Sequence, residues 1–522
     1  MSKVALIQAP NVFVPNGATL MSYPPIGLAY IAAALERDGH QIQGIDAVAR
    51  WHDQIYEKEF AGIKFLVNGG LISEIVALID ADVEHVGIPC MFTHHWPLVR
   101  ELVQAIRDKF PAVTIILGGE HVSGIPEYCL NDSVADCIVV GEGEDTIREL
   151  VKCLDCQSDL AGVGGIVYRD HSTITPRNNK RRARIRDIDS IAVPAWHYFP
   201  VKIYMDRKMF LGPSRGRTMP ILATRGCPYQ CTFCTSPSMW TTRWDARTPK
   251  DVVDEMESYT QKYGATDFQF VDLTAVVKRS WILEFCAEIQ SRNWEGITWQ
   301  LPSGTRSEAI DFEVAENLKK AGCYILAYAP ESGSPELLKR IKKRISIDKL
   351  LNSIRDVRRA GLRVECFTIM GFADETMSEM FQTVWFIMRL ALNGVESVPI
   401  GTWRPVPGSE MTNELVEKGI LEYNDEVFCS LVSSTSLLSG VSYNQNYPSY
   451  QICLMRVLGY AAFFSVLFVT RPIRLVRILK NVVTQNQTSK LEKALIEIAR
   501  AKMLYFRRRF FDTEKALIQR KQ

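Results

Sequence analysis

Three cysteines within eight residues constrain this chain more than any other feature. Cys227, Cys231 and Cys234 follow a strand-like run and have the spacing C-x3-C-x2-C. Thiolates this close on one loop can hold a single compact metal centre. A structural zinc ion normally takes four ligands, often from two C-x2-C pairs, and no second pair follows nearby. The spacing therefore favours an iron–sulfur cluster in which one iron has no protein ligand and is open to chemistry.

Length and composition set the broad class of the protein. The chain has 522 residues, too many for one core, and we expect roughly two to four domains. A net charge of +2 gives no sign of a global nucleic-acid binder. Thirteen cysteines and no signal-peptide pattern before the first strand fit a reducing, cytoplasmic compartment. No run of about 20 uncharged apolar residues occurs, so we predict no membrane span.

Residues 1–154 alternate strand and helix patterns. Strands are predicted at 4–8, 41–45, 83–91, 113–117 and 137–140. Such β-α units predict an open, parallel, doubly wound Rossmann-like sheet. Glycines follow several of these strands, at the edge where such sheets bind ligands.

A second α/β unit is predicted at residues 216–405, after a linker at 155–215 that contains a hairpin. The linker also carries a basic run at 180–186, for which we favour a solvated face because no aromatic residues interleave it. Six strand–helix repeats follow the linker and predict a partial (β/α)6 barrel of the TIM type. The cysteine loop follows the first of these strands, where barrel active sites gather.

Residues 406–522 are predicted to form a helical domain with an amphipathic basic tail. The apolar run 457–469 has 13 residues, too few to cross a bilayer. From Arg471 onward, 14 Lys or Arg stand against 4 Asp or Glu. An amphipathic basic helix in this tail could lie on an anionic membrane surface, or it could pack on the barrel with its charges in water. We favour the second interpretation.

The cysteine motif resembles that of the radical S-adenosylmethionine (AdoMet) superfamily, and Phe233 also matches its pattern. The resemblance implies a 4Fe-4S cluster on Cys227, Cys231 and Cys234, the catalytic cysteines, with AdoMet on the open iron. One electron from the cluster would then cleave AdoMet to methionine and a deoxyadenosyl radical. That radical abstracts hydrogen from unactivated carbon, which no side-chain acid or base could do.

The same resemblance implies AdoMet contacts at the ends of successive barrel strands. By position, the matching residues are Phe233, Asp272, Arg306, Glu331, Ser332, Gly333, Ile369 and Gly371. One departure concerns the last loop, where the family usually has Pro-Gly-Glu-Thr and this chain has residues 373–376 as Ala-Asp-Glu-Thr.

A doubly wound domain ahead of this barrel resembles the cobalamin-binding class of the superfamily. The matching residues, which the resemblance assigns to cobalamin binding, are Pro25, Gly27, Gly118, Gly119, Glu120, His121, Gly141, Glu142 and Gly143. The D-x-H-x-x-G motif of other cobalamin proteins is absent, which implies that no histidine binds cobalt from below. His94, His95 and His121 are expected to be polar loop residues rather than metal ligands. His121 is the best candidate among them for a cofactor contact.

Two related activities fit this resemblance. The first is C-methylation of an unactivated carbon in a hydrophobic small molecule. The second is oxidation or ring closure of the kind catalysed by anaerobic magnesium-protoporphyrin monomethyl ester cyclases. A tRNA methylthiotransferase is disfavoured because the N-terminal region lacks a second three-cysteine cluster, and a binding protein without catalysis is disfavoured because all three cysteines remain. We expect a flavodoxin or ferredoxin as electron donor, no nucleic-acid partner, and a peripheral membrane contact as an open alternative.

Overall fold

The computed structural model describes residues 1–15, 22–170, 175–432, 436–437 and 440–500. The N-terminal strands, in chain order, are β1 Lys3–Gln8, β2 Asn11–Phe13, β3 Gln41–Asp46, β4 Ile55–Phe60, β5 Ile63–Asn68, β6 His85–Pro89, β7 Thr114–Gly118, β8 Cys137–Val139, β9 Ile166–Tyr168 and β10 Arg177–Asn178. The helices between them are α1 Ile26–Arg37, α2 Ile72–Ala77, α3 Trp96–Lys109, α4 Glu120–Gly124, α5 Pro126–Asn131 and α6 Glu144–Asp155.

The N-terminal sheet is doubly wound, as predicted. Its described strands run in the order β10-β9-β8-β7-β6-β1-β3. The strands β8, β7, β6, β1 and β3 are parallel, and the linker hairpin β9-β10 is added antiparallel at one edge. The strand order reverses between β1 and β6. In open α/β sheets this switch point, at the carboxyl ends of the strands, is where ligands bind.

Apolar faces of the helices cover both sides of this sheet. On one side α1 and α6 pack together through residues such as Leu28, Leu35 and Leu150. On the other side α2 and α3 pack through residues such as Ile75 and Leu102. Because both faces are buried, the parallel strands consist of nearly continuous apolar residues.

A small antiparallel sheet, β2-β5-β4, was not predicted. It is built around the hairpin of β4 and β5, which turns at Ala61 and Gly62, both with positive φ. Ile55–Phe60 has three consecutive charged residues, so its sequence lacks the alternation of apolar and polar residues that marks a strand. The sheet extends the N-terminal domain beyond the β-α repeats that the glycine pattern indicated.

The second unit is the predicted partial barrel. Its strands, together with those of a small two-stranded ribbon, are β11 Thr218–Ile221, β12 Thr224–Arg225, β13 Asp245–Ala246, β14 Asp267–Phe270, β15 Thr298–Thr305, β16 Cys323–Glu331, β17 Arg363–Met370 and β18 Ile400–Thr402. Six of them pair in parallel in the order β11-β14-β15-β16-β17-β18, and β12 pairs with β13. The helices are α7 Val201–Arg207, α8 Ser236–Trp240, α9 Pro249–Tyr263, α10 Arg279–Ser291, α11 Phe312–Lys320, α12 Pro335–Arg340, α13 Ile347–Arg359 and α14 Met377–Leu392.

The C-terminal region is helical. Its helices are α15 Glu410–Glu417, α16 Asp425–Ser430, α17 Ser449–Thr470 and α18 Ile473–Val483, and residues 490–500 are also helical. The apolar run 457–469 belongs to α17, a helix of 22 residues whose length and composition would suffice for a membrane span. Our prediction that this segment is too short is therefore wrong for the helix as a whole. In the described structure α17 packs against α14, and its Arg456 is buried and donates to the carbonyl oxygens of Ile400 and Ser436.

The basic helix α18 packs on the barrel, as the favoured interpretation has it, but with Arg474 and Arg477 turned inward and not into water. Arg474 and Arg477 form ion pairs with the buried carboxylate of Glu396 in the barrel. Apolar side chains of α18 face outward instead, with Ile473 81% and Val483 83% exposed. The part of the predicted tail at 501–522 lies outside the described residues.

The basic run of the linker is a solvated face only in part: Lys180, Arg181 and Arg186 are exposed, whereas Arg182 and Arg184 form ion pairs. Arg182 pairs with Glu149 of α6, and Arg184 pairs with Glu142 at 3.4 Å. Arg181 donates to the backbone carbonyl oxygens of Ser238 and Met239 in α8. This run connects the N-terminal domain to the barrel.

Candidate active site

The carboxyl edges of the two parallel sheets face each other. The loops after β7 and β8 contact the segment that contains the three cysteines, which follows β11 of the barrel. Gly124, after β7, lies so close to Pro407 that a Cβ would stand 2.6 Å from its carbonyl oxygen. Both sheets therefore present their ligand-binding edges to one shared space.

The cysteines lie on a loop between β12 and α8, which we call the cluster loop (residues 225–235). Cys231 is buried, whereas Cys227 and Cys234 are half-buried. The backbone N–H of Ser236 donates to Sγ of Cys234 at 3.4 Å. In the described residues no three His, Cys, Asp or Glu side chains converge on a single metal ion. In an iron–sulfur cluster each thiolate binds a different iron, so its thiols need not converge on one point.

Burial keeps the thiols of Cys231 and Cys234 protonated while no metal is bound. It raises the pKa of Cys234 to about 12 and also raises the pKa of Cys231. Metal ligation requires thiolates, so loading of the cluster releases protons.

A buried group of charged residues surrounds Cys231. The ammonium group of Lys343 lies 2.9 Å from Oε1 of Glu331 and 6.0 Å from the ring of Phe233. Lys343 is 9% exposed, and Glu331 has a positive φ of 67°, a strained conformation for this residue type. A buried cation beside the cysteines fits the carboxylate of AdoMet. Sequence analysis missed Lys343 because no motif marks it; the signal is its position in the loop after α12.

Arg306 lies next to this group. Its guanidinium carbon is 3.8 Å from the centroid of the Tyr229 ring, inside the cluster loop, and it also pairs with Glu308 at 3.0 Å. Its Nε atom is buried and has no hydrogen-bond partner among the described residues. Arg306 therefore combines a contact to the cluster loop with a donor, Nε, that is left for a ligand.

Asp272 lies where the sequence predicts, but its carboxylate already has partners. It accepts hydrogen bonds from the backbone N–H of Thr224 at 2.5 Å and the Thr224 hydroxyl at 2.6 Å. Burial raises its pKa to about 6. In this structure Asp272 orients the start of the cluster loop, and its predicted AdoMet contact stays a prediction.

Ser332 and Gly333 pack the strand end of β16 against α14. The Ser332 hydroxyl lies 3.0 Å from that of Thr383, and a Cβ at Gly333 would stand 2.4 Å from Cβ of Phe386. Both residues thus have a role in packing β16 against α14, and their predicted contact with AdoMet stays a prediction.

The loop after β17 is held by Glu375 of the altered motif. Its Oε2 accepts the backbone N–H of Gly371 at 2.5 Å and of Phe372 at 3.1 Å. Phe372 packs edge-to-face on Phe233 with ring centroids 5.4 Å apart, and Ile369 belongs to the same apolar group. The departure from the usual Pro-Gly thus leaves the loop anchored next to the cluster loop.

At the N-terminal edge, two of the predicted glycines border open space. A Cβ added to Gly27 or Gly118 would meet no atom of the described residues within 4 Å. Beside them, after β6 at the switch point, Met91 is 46% and Phe92 41% exposed. Open glycine backbone next to exposed apolar side chains fits a bulky flat ligand such as cobalamin. Sequence analysis missed Met91 and Phe92 as candidates because they carry no motif.

Other predicted residues of this edge have structural partners. Pro25 precedes α1, and Gly119 and Gly141 have positive φ of 103° and 84°. A Cβ at Gly143 would stand 2.8 Å from the side chain of Ile31. Glu120 and Glu142 bind the barrel and linker, as described above for the facing edges.

His121 is packed in the protein interior and not in an open loop. It is 2% exposed, its Nδ1 lies 3.2 Å from the Thr93 hydroxyl, and its Nε2 lies 3.7 Å from Sγ of Cys129. Burial lowers its pKa to about 3, so the ring is neutral. Its ring contacts Trp96 and Phe428. The predicted cobalamin contact of His121 stays a prediction, and both its nitrogens already have protein neighbours.

The two sheets thus face each other with their ligand-binding edges. The barrel edge has a cysteine loop that suits a metal cluster, and the N-terminal edge has open glycine backbone that suits a second cofactor. Comparison with known families agrees with this arrangement. Residues 221–387 match the radical SAM superfamily, and residues 17–151 match the B12 binding domain. The chain thus carries a B12-binding domain followed by a radical SAM domain. It is an enzyme whose cofactors are a 4Fe-4S cluster, AdoMet and cobalamin.

Similar proteins include both methyltransferases and cyclases. The chain is 26% identical over 434 residues to cytidylyl-2-hydroxyethylphosphonate methyltransferase of Streptomyces wedmorensis, covering 77% of this chain and 80% of that protein. It is 26% identical over 387 residues to the anaerobic magnesium-protoporphyrin IX monomethyl ester cyclase of Cereibacter sphaeroides, covering 72% of this chain but 58% of that one. The fold matches the radical AdoMet methyltransferase TsrM of Kitasatospora setae, with cobalamin and a 4Fe-4S cluster bound, at a TM-score of 0.60, 20% identity and coverage of 80% and 78%.

Proposed function

We propose that this enzyme is a cobalamin-dependent radical AdoMet C-methyltransferase that acts on an unactivated carbon of a hydrophobic small molecule. The observation that carries the proposal is the facing of the two edges, which puts the cluster loop against the loops after β7 and β8. When bound, the cluster with AdoMet supplies a hydrogen-abstracting radical, and cobalamin supplies a methyl group. Relatives with methyltransferase activity support the same assignment.

The residues of the chain divide the work between binding and shielding. Cys227, Cys231 and Cys234 would hold the cluster. Lys343 and Arg306 would bind the carboxylate of AdoMet, because both are buried cations beside Cys231. Phe233 with its partner Phe372 would cover the apolar part of AdoMet and exclude water from the reacting atoms.

Exposed apolar side chains at both edges support a hydrophobic substrate. Met91 and Phe92 lie at the N-terminal edge, and Leu273, directly after Asp272, is 42% exposed at the barrel edge. Apolar groups of this size are exposed at binding sites more often than elsewhere. A substrate between the edges would cover them.

The proposal is tested by product analysis after anaerobic turnover. Enzyme with reconstituted cluster and cobalamin receives AdoMet carrying a deuterated methyl group, a low-potential reductant and lipophilic cell extract. We expect deoxyadenosine, S-adenosylhomocysteine and a product that has gained one labelled methyl group. Deoxyadenosine with no labelled product and no S-adenosylhomocysteine would contradict methyl transfer.

A cyclase activity is the second candidate, favoured by the relative from Cereibacter sphaeroides. The same cofactors and the same apolar edges would serve it. A product that gains oxygen or loses hydrogen, without the labelled methyl group, would favour this candidate over the first.

We further propose a cytoplasmic enzyme that receives electrons from a flavodoxin or ferredoxin and touches membranes at its periphery. The outward faces of α17 and α18 support the last point, since Leu454, Ile473, Val476 and Val483 are all more than half exposed. Cosedimentation with anionic lipid vesicles tests it, with Val476→Glu as the comparison. Binding that Val476→Glu weakens is expected; wild-type protein that stays wholly in solution would refute the contact.

A further inference from the structure

The first end of the cluster loop is bound by carboxylates of the N-terminal domain. Arg225 lies two residues before Cys227, and its guanidinium pairs with Glu142 at 3.3 Å and, in a closer contact, with Glu144. The side chains of Arg225 and Glu142 are each 6% exposed, and that of Glu144 is 11% exposed. These three charged side chains join the two domains and are almost entirely shielded from water.

The second end of the same loop is bound by the same domain. Thr235 directly follows Cys234, and its hydroxyl donates a hydrogen bond to Oε1 of Glu120. Thr235 is 6% exposed. Glu120 begins α4 immediately after Gly119, whose positive φ and closeness to Cys90 fix the direction of the chain there.

The carboxylate of Glu142 has no oxygen left for a cofactor. Its Oε1 faces Arg225, while its Oε2 accepts the backbone N–H of Ile185 at 2.9 Å and faces Arg184 at 3.4 Å. Arg225 also lies over the ring of Tyr30 in α1, with 5.2 Å between the guanidinium carbon and the ring centroid. Arg225 and the glutamates that follow β8 therefore join barrel, linker and N-terminal helix at one point.

Such contacts fix geometry more than they add stability. Buried ion pairs lose hydration about as much as they gain attraction, but each partner is costly to displace from the other. Residues that position a reaction centre affect the rate through its geometry, because a misplacement of about 1 Å can lower the rate 100-fold. Contacts at both ends of an eleven-residue loop restrict how the cluster sits relative to the cobalamin edge.

We propose that Glu120, Glu142 and Glu144 are positioning residues for the iron–sulfur cluster rather than ligands of cobalamin. They hold the cluster loop through Thr235 and Arg225, so that the domain that binds cobalamin also sets the position of the cluster. This inference needs only the two cofactors and holds whether the product is methylated or cyclised.

The test compares Glu144→Gln and Thr235→Val with wild-type enzyme that carries both cofactors. Three quantities are measured without any substrate: the affinity for cobalamin, the electron paramagnetic resonance spectrum of the reduced cluster with AdoMet, and the rate of deoxyadenosine release. We expect cobalamin affinity within about twofold of wild type, an altered cluster spectrum, and deoxyadenosine release lowered about 10-fold or more.

Two controls separate positioning from folding. Glu149→Gln removes a more exposed ion pair from the same helix, with Arg182 of the linker, away from the cluster loop, and should leave all three quantities unchanged. Thr235→Ser keeps the hydroxyl and should restore the wild-type spectrum. Should Glu144→Gln fail to fold, the Val and Ser variants of Thr235 decide the matter, because they change one methyl or hydroxyl group.

Two results would overturn the proposal. Cobalamin affinity that falls 10-fold or more with an unchanged cluster spectrum would make these glutamates cobalamin ligands. A cluster spectrum and a deoxyadenosine rate that stay as in wild type in Glu144→Gln and Thr235→Val would show that the contacts do not position the cluster.

Discussion

The two facing edges use their polar residues differently. At the barrel edge, Lys343, Arg306 and Glu331 form a buried charged group around Cys231 that still has a free donor, Nε of Arg306. At the N-terminal edge, Glu120 and Glu142 are taken up by contacts to the barrel, and the space for a ligand is bordered by glycine and apolar groups. A motif residue at a strand end can thus serve a ligand or the neighbouring domain, and its existing partners distinguish the two.

The largest expected effect comes from the barrel edge. Cys231→Ala removes one cluster ligand, and we expect loss of iron and of the cluster absorbance, with no detectable deoxyadenosine. Cys156→Ser alters an exposed cysteine in the N-terminal domain and serves as the control. Full iron content in the Cys231 variant would contradict the assigned ligand set.

A smaller effect is expected at the charged group beside the cysteines. Lys343→Met removes the cation and leaves Glu331 buried without its partner. We expect the dissociation constant for AdoMet to rise about 10-fold or more, since a buried charged hydrogen bond is lost. Isothermal titration with AdoMet measures this, with Lys349→Met on the surface as the control; equal affinities would remove Lys343 from the site.

At the N-terminal edge, we expect substitutions of two neighbouring glycines to have different effects, one on cobalamin binding and the other on stability. Gly118→Val adds a side chain to open space, so we expect weaker cobalamin binding, about 10-fold, with little change in thermal stability. Gly119→Ala forces a Cβ to 2.8 Å from the carbonyl oxygen of Cys90 at a φ of +103°, so we expect a loss of stability of about 1–2 kcal/mol or more. Reversed outcomes would mean that Gly119, and not Gly118, borders the cofactor.

The smallest effect concerns pH and the loop after β17. Burial raises the pKa of Glu375 to about 8 from a usual 4.5. The folded state therefore keeps a proton that the unfolded chain has lost, and stability falls as pH rises from about 5 to 8, by at most about 1.4 kcal/mol per pH unit. Glu375→Gln, which stays neutral, should flatten this dependence in denaturant unfolding, whereas Glu417→Gln on the surface should not. An unchanged slope would mean that Glu375 is ionised in the fold.

Much of the architecture could be predicted from the sequence, because periodicity and glycine placement report strand ends directly. The doubly wound sheet and the six parallel barrel strands follow the sequence prediction. The sequence could not indicate that Glu142 meets Arg225, since that contact joins residues far apart in the chain. It also misled on α18, where the positive charges of Arg474 and Arg477 find a buried partner in Glu396 and the apolar side chains turn outward. Long-range pairing of this kind depends on the packed domains and leaves no local pattern.

The most direct test of the account is the magnetic interaction between the two cofactors. Enzyme that carries both cob(II)alamin and the reduced cluster is compared, by electron paramagnetic resonance, with enzyme that carries each one alone. If both sheet edges border one space, the spectrum of the doubly loaded enzyme will show spin–spin broadening that is absent from the sum of the single spectra. A doubly loaded spectrum equal to that sum would place the cofactors apart and contradict the shared site.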